Sequence, residues 1–328
     1  MAAAPSALRF PVSDHCDGRR FFNPRRHINR DWTEIIRWKL TSSPAPWPER
    51  VPITPVPPPP APSGRDLVAT WIGHSTYLLQ SPLGNVITDP VFSERASPVG
   101  FAGPRRVHEP GIRFSDLPPL DLVVVSHDHY DHCDVATLER LALDHPKAVV
   151  VTPLNNGPIL AAAGWAPQRI HELDWWESLA LPGGIGAQIT PARHWSNRAT
   201  GARNGRLWGG CNLKFGDRGV HFVGDTGYDE FMFREIRQRC GAPDLALVPI
   251  GAYEPRWFMS EMHCNPAEAV QIHLDLGARL SAAKHWGTFQ LTDESREAPV
   301  TALAAARTAA QLGAEAFRTL APGESLRA

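Results

Sequence analysis

Four residues in one short stretch can ligate metal: His127, His129, Asp131 and His132, in the run Ser126-His-Asp-His-Tyr-Asp-His-Cys-Asp134. The spacing His-x-His-x-Asp-His does not fit one helical face, because residues two apart on a helix point in different directions. On a loop the four side chains can converge, and alternate ones can serve two different ions. Imidazole suits zinc, and a carboxylate beside it widens the choice to iron or manganese. Chance clustering of surface histidines is the plainer reading and the less favoured one. Three further ligand types follow short apolar runs: His194 after Ile189-Thr-Pro-Ala-Arg, Asp225 in Phe222-Val-Gly-Asp-Thr-Gly, and His285 after Leu280-Ser-Ala-Ala-Lys. Seven groups suffice for two ions with a shared carboxylate. His127, His129 and His194 would hold one ion, Asp131, His132 and His285 the other, with Asp225 bridging. Such a pair can deprotonate a shared water near neutral pH and stabilise charge developing in a displacement, without a serine or cysteine nucleophile.

No other catalytic signature competes. Gly-x-Ser-x-Gly, a P-loop, Gly-x-Gly-x-x-Gly after a strand and His-x-Lys-x-x-x-x-Asp are absent. Cys133, beside a ligand, reads as loop packing.

The elements that must position these groups are short. Residues 122–125 form a β-branched run too short for a helix, and Asp134 stands where a helix N-cap belongs. Strand-like runs lie at 67–72, 77–80, 85–88, 122–125, 148–152, 187–190, 220–223, 245–248 and 280–283. Helical stretches are expected at 134–143, 156–163, 229–239, 266–276 and 299–312. Asn265-Pro266-Ala-Glu268 supplies an N-cap, an N1 proline and a capping-box glutamate. Two face-to-face sheets with helices outside fit this order, and so does a three-layer parallel sheet.

The 328 residues carry 33 Lys+Arg against 34 Asp+Glu, so nothing in the charge points to nucleic acid. Five dispersed cysteines without a Cys-x-x-Cys pair argue for reduced thiols in a cytoplasmic compartment. The N-terminal ten residues lack the pattern of a signal peptide, and no apolar run approaches a spanning length. Residues 1–64 form a separate arm ahead of a hydrolase domain at 65–328. A short helix with Trp32, Ile35, Ile36 and Leu40 on one side is followed from Pro44 to Pro62 by a proline-rich extended run. The arm reads either as a basic, aromatic segment touching anionic lipid headgroups or as a strap across the main domain, with the strap preferred.

Longer stretches carry a resemblance: Thr70-Trp-Ile-Gly-His-Ser-Thr, Gly103-Pro-Arg-Arg, Leu173-Asp-Trp-Trp-Glu, Thr190-Pro-Ala-Arg-His-Trp, Tyr253-Glu-Pro-Arg-Trp-Phe-Met and His285-Trp-Gly-Thr-Phe. With the seven ligands, these resemble the metallo-β-lactamase superfamily of αββα hydrolases. Within it the match narrows to the N-acyl-phosphatidylethanolamine-hydrolysing phospholipases D and their bacterial relatives. The resemblance implies an α/β fold with the αββα sandwich, two zinc ions or another divalent transition metal, and a phosphodiesterase of phospholipase D type. It implies a phospholipid substrate and is compatible with peripheral membrane contact and a homodimer. Asp131 and His263 are the expected catalytic residues, His263 as proton donor to the leaving oxygen. Tyr253, Arg256 and Trp257 are candidates for substrate contact, Arg256 either on phosphate or locking its own loop. Asp89 and His74 are expected just behind the ligands, Asp89 on a ligand histidine. Trp175 and Trp176 line an acyl groove or fill core. The alternative is a hydrolase of this superfamily acting on a lactone or another small non-lipid ester.

Overall fold

Alternation of apolar residues gives this chain strands buried on both faces. Leu122 and Val124 enter one apolar cluster while Val123 and Val125 enter another, and the same split separates Tyr77 and Leu79 from Leu78, and Val86 from Ile87. The computed structural model describes residues 9–25 and 32–328. The readings that rest on residues 1–8, on Arg26 and on the Trp32 side chain lie outside the described part.

Strands β1 (Val68–Gly73), β2 (Thr76–Ser81), β3 (Gly84–Thr88), β4 (Leu122–Val124), β5 (Val149–Pro153) and β6 (Ile170–Leu173) form the first sheet. Strands β7 (Ser178–Ala180), β8 (Ile185–Thr190), β9 (Gly210–Phe215), β10 (Arg218–Phe222), β11 (Leu245–Pro249), β12 (Leu280–Lys284) and β13 (Phe317–Arg318) form the second. Strand β14 (Ser325–Arg327) returns to the first sheet beside β1. Strands β3 to β6 run parallel, as do β10 to β13, and the antiparallel remainder comes from sequential neighbours and from the β1–β14 pair.

The central cluster lies between the sheets, joining Trp71, Tyr77 and Val124 to Ile189, Leu213, Phe222 and Leu247. Helices α2 (Val135–Asp144) and α3 (Gly157–Ala162) cover the first sheet with Leu138, Leu141, Ile159 and Leu160. Helices α4 (Glu230–Cys240), α6 (Pro266–Leu276) and α7 (Ala298–Ala309) cover the second with Phe233, Ile236, Val270, Ile272 and Leu303. The layers therefore run α, β, β, α, and the three-layer alternative is excluded. The capping box at Asn265 and Glu268 forms as the sequence expects. Asp134 precedes α2, but its carboxylate accepts from Ser93 and Thr137 and ties the 92–93 loop to the helix start.

The N-terminal residues lie against this sandwich. Cys16 and Phe21 join the central cluster, and Ile35 and Trp38 of α1 (Trp32–Thr41) pack on Phe258 of the single turn α5 (Arg256–Met259). Residues 42–63 run extended and hydrogen-bond outward, Ala45 N to Asp293 O, Val51 N to Val107 O and Val56 N to Gly111 O. Proline cannot donate from its nitrogen, so this segment's backbone donates only from its non-proline positions, while a proline carbonyl still accepts, as Pro59 does from Gln80 at 3.3 Å. Among the described residues no helix is long and apolar enough to cross a membrane.

Candidate metal centre

Strand β4 delivers its chain to the rim of the sandwich, and residues 127–132 turn there before α2. The loop is fixed from below. The Asp128 carboxylate accepts from Arg206 at 3.2 Å and from Asn197 N, and Arg198 donates to the carbonyls of Asp128 and Cys133. The ends of β8, β10 and β12 bring His194, Asp225 and His285 to the same rim. Rigid strands thus place side chains that belong to loops.

Three ring nitrogens converge first. His127 Nε2 lies 2.9 Å and His194 Nε2 3.2 Å from His129 Nδ1. Their orientation follows from hydrogen bonds on the far side of each ring. Ser126 Oγ donates to Asp89, so it accepts from His127 Nδ1, leaving Nε2 bare. His194 Nδ1 donates to the Met262 carbonyl at 2.9 Å, with the same result. His129 presents Nδ1 instead, and its ring edge meets Trp195.

The second group adjoins the first. Asp225 Oδ2 lies 3.0 Å from His132 Nε2 and 2.8 Å from His285 Nε2. Asp131 Oδ2 lies 3.3 Å from each of those nitrogens and 2.9 Å from His74 Nε2. His132 donates through Nδ1 to Asp89 at 2.6 Å, and the same carboxylate receives the amide and hydroxyl of Ser126. Asp89 therefore aligns His132 directly and His127 through Ser126, which is the arrangement that fixes ring orientation in metal sites. His74 and His285 hold φ of +52° and +59°, strain that a centre of converging side chains accommodates.

The electrostatics follow from this packing. Burial pushes His127 and His194 well below the ordinary histidine range, so both rings are neutral and their inward nitrogens carry lone pairs. Burial opposes charge on His132 as well, but Asp225, Asp131 and Asp89 outweigh it and hold it well above that range. Burial also opposes the Asp225 carboxylate, and His132, His285 and Lys284 overcome it. The groups fit divalent metal: the neutral imidazoles of His127 and His194 and the ionised carboxylates converge, His129 Nε2 has no hydrogen-bond partner among the described residues, and His132 Nε2 and His285 Nε2 face only the Asp225 and Asp131 oxygens.

The remaining expected residues are placed less uniformly. His263 stands at the rim, its Nδ1 3.9 Å from Asp225 Oδ2 and without a partner, and burial pushes it down to about 3. Arg256 does not present an open fork to the centre. Its Nη2 donates to both oxygens of Glu268 at 2.9 Å and its Nη1 to the His263 carbonyl, so it locks its own loop. Tyr253 is buried, its hydroxyl pushed by burial up to about 12. Trp257 is partly exposed beneath the Arg37 guanidinium of α1. Trp175 is core, stacked on His15 at 4.3 Å, and Trp176 stacks under Arg239. Cys133 is buried, and burial raises its thiol to about 12.

Against this geometry, residues 84–286 match the family model described as the beta-lactamase superfamily domain. The chain belongs to the metallo-β-lactamase superfamily. The resemblance to the phospholipase D branch has support of its own. The chain is 41% identical over 232 residues to N-acyl-phosphatidylethanolamine-hydrolyzing phospholipase D 1 of Caenorhabditis elegans, covering 69% of this chain and 65% of that protein. It is 35% identical to the mitochondrial enzyme of that name from Saccharomyces cerevisiae, covering 69% of this chain and 48% of that one. The match thus spans less than two thirds of either relative's length. A novel metallo hydrolase from the archaeon Ignicoccus hospitalis shares the fold, with a TM-score of 0.60 at 21% identity over 80% of this chain and 98% of that one. The chain carries this superfamily's domain with a clustered His/Asp site able to hold metal.

Several supporting residues escape the sequence reading. Lys284, fully buried, donates to Asp225 Oδ1 at 3.3 Å. Ser126 links Asp89 to His127, and Asn23 donates to the His194 carbonyl at 2.9 Å. Lys284 had one signal: a lysine inside an apolar strand, immediately before a ligand.

Proposed function

We propose that this protein is a dinuclear zinc phosphodiesterase of phospholipase D type, cleaving N-acyl-phosphatidylethanolamine-like lipids to an N-acylethanolamine and phosphatidate. His127, His129 and His194 would hold one ion, Asp131, His132 and His285 the other, and Asp225 would bridge them. Bound there, the ions would supply an acidified water and neutralise charge gathering on the phosphoryl oxygens. The chain's own residues do the rest. Asp89 keeps His132 and His127 in the tautomers that face inward, and His74 holds Asp131. His263, at the rim and neutral, carries an N–H toward the leaving alkoxide, directly or through one water.

The observation that carries the lipid reading is a buried apolar cluster beside the proposed ligands. Phe258, Met259 and Met262 pack with Ile35, Trp38 and Trp195, and Trp195 also meets the His129 ring. Apolar groups gathered next to a charged centre suit an acyl chain better than a small polar ester. The likeness to two enzymes named for this reaction supports the same reading.

The test is hydrolysis of mixed-micelle N-acyl-phosphatidylethanolamine in ¹⁸O water. Label should enter phosphatidate and not the N-acylethanolamine. Label in the alcohol product, or brisk lactone hydrolysis beside inert phosphodiester lipids, would favour a small-ester hydrolase instead.

A further inference from the structure

Strand β8 ends at Thr190 and β9 begins at Gly210, so His194 sits on irregular chain with no strand ladder to fix it. Its backbone groups must be held by other partners. One of these is remote in sequence: Asn23 donates from Nδ2 to the His194 carbonyl at 2.9 Å. The His194 ring is fixed separately, through Nδ1 on the Met262 carbonyl. Ring and backbone of this one ligand are thus set by two different segments, and one of them is N-terminal.

That segment is docked on both sides of Asn23. Phe21 is 1% exposed in the central cluster, and its amide donates to the Asn204 carbonyl at 2.8 Å. Asn204 in turn brackets Ser196, donating its amide to the Ser196 carbonyl and accepting the Ser196 amide on Oδ1. On the other side, Arg25 pairs with Asp229 at 2.8 Å and lies over the Phe231 ring. Asp229 is the N-cap of α4, on the chain that leaves Asp225. Farther back, His15 bonds Asp174 at 2.8 Å and stacks on Trp175. The Trp175 indole donates to the Trp208 carbonyl, and the Trp208 indole to the Ala192 carbonyl. Directly or through these intermediates, residues 15–25 reach Ala192, His194 and Ser196. The grip is one-sided. The second group of ligands is held by Asp225, Asp89 and His74 instead.

We propose that residues 15–25 act as a prop for the three-histidine half of the metal centre, with Asn23 as the positioning residue of His194. This prop presupposes the metal reading above and is independent of the lipid substrate. Ligand geometry has to be held to within about 0.5 Å, and a fixed His194 backbone keeps its imidazole on target. Linkage makes the effect reciprocal. If docking of the segment favours metal in that half, metal there favours docking by the same factor.

The test needs no substrate. The full chain, stripped with a chelator and reloaded with zinc, is digested with trypsin, which cuts after the exposed Arg19, Arg20 and Arg25. Cleavage under native conditions reports how often the segment opens. Zinc should slow it about tenfold in the wild type and in His285→Ala, which keeps the three-histidine group. The slowing should shrink to less than about twofold in His194→Ala and in Asn23→Ala. Asn23→Ala should also release one of two ions to a competing chelator about tenfold faster than the wild type, and the other at the wild-type rate. Arg25→Met, at an exposed position, should show both effects in weaker form and serves if Asn23→Ala fails to fold. Three outcomes overturn the prop and leave the metal centre standing. They are zinc that binds without slowing cleavage, variants that match the wild type in both readouts, and equal loss of protection in His194→Ala and His285→Ala. A wild type that retains no zinc overturns both.

Discussion

The ammonium of Lys284 lies 3.3 Å from Oδ1 of Asp225, and both side chains are sealed from solvent. The other carboxylate oxygen, Oδ2, faces His132 and His285. One carboxylate thus divides its two oxygens between a fixed positive charge and the centre. Lys284 also reaches Ser75 Oγ at 3.4 Å and rests over the Phe222 ring, so its position is set from three sides.

Removing that ammonium should hurt twice. Breaking a buried pair leaves an uncompensated charge and costs about 3–5 kcal/mol. Lys284→Met should therefore lower the unfolding free energy of chelator-treated protein by about that much, read by urea titration. It should also weaken metal retention by about 10–100-fold, as loss of residues behind the ligands does. Unchanged stability together with unchanged metal affinity would mean that Asp225 needs no such support.

The seven ligands predict two bound transition-metal ions per chain. Asp225→Asn should lose turnover by orders of magnitude and lower the metal content, because the carboxylate proposed to bridge the ions loses its charge. His194→Ala should leave about one ion, since it breaks only the three-histidine group. Elemental analysis of the wild type after metal supplementation, giving one tightly held ion or none, refutes the dinuclear reading.

Stability should fall with acid in a window set by buried neutral histidines away from the centre. Burial pushes His221 down to about 3 and His108 to about 4. In the unfolded chain both titrate near 6.5. Between those values the unfolded chain binds protons that the folded chain refuses, so stability rises with pH there. The contribution is complete above the unfolded value and is lost progressively as pH falls toward 3 to 4. His221→Gln should lose less stability between pH 7.5 and pH 4.5 than the wild type, by about 2–3 kcal/mol. The measured quantity is the change across pH, since the substitution alters absolute stability as well.

Periodicity and local motifs made the buried strands and most of the centre legible. Strands such as β4 and β11 carry apolar residues on both faces and announce themselves, and Asn265-Pro-Ala-Glu marks the start of α6. Strands β6, β7, β9, β13 and β14 were not. Strand β7 is largely exposed, β9 carries Asn212 and Lys214 among its apolar residues, and β13 and β14 are only two and three residues long. Such strands exist because a neighbour offers a register, which no local pattern reports. The same limit applies to the site. Ligands show in spacing, but the tie of Lys284 to Asp225 and of Asn23 to His194 joins residues 59 and 171 positions apart. Arg256 illustrates the converse, since a cation placed beside the centre by sequence is tied to Glu268 by tertiary structure.

His263 separates a proton carrier from an eighth ligand. With Asp225 and His194 it could form a third metal-holding group. Its Nδ1 is 3.9 Å from Asp225 Oδ2, against 2.8–3.0 Å for His285 and His132, so it stands back from the carboxylate those two engage. A residue at that remove can hand an N–H to a leaving oxygen without holding the ions. His263→Ala should therefore retain the wild-type metal content while its turnover falls by about 10²–10⁴. A substrate whose leaving alcohol is already acidic, such as a nitrophenyl phosphodiester, needs little help with protonation and should lose far less. Elemental analysis beside turnover on both substrates decides the matter. Loss of an ion would make His263 a ligand, and an equal loss of rate on both substrates would remove it from proton transfer.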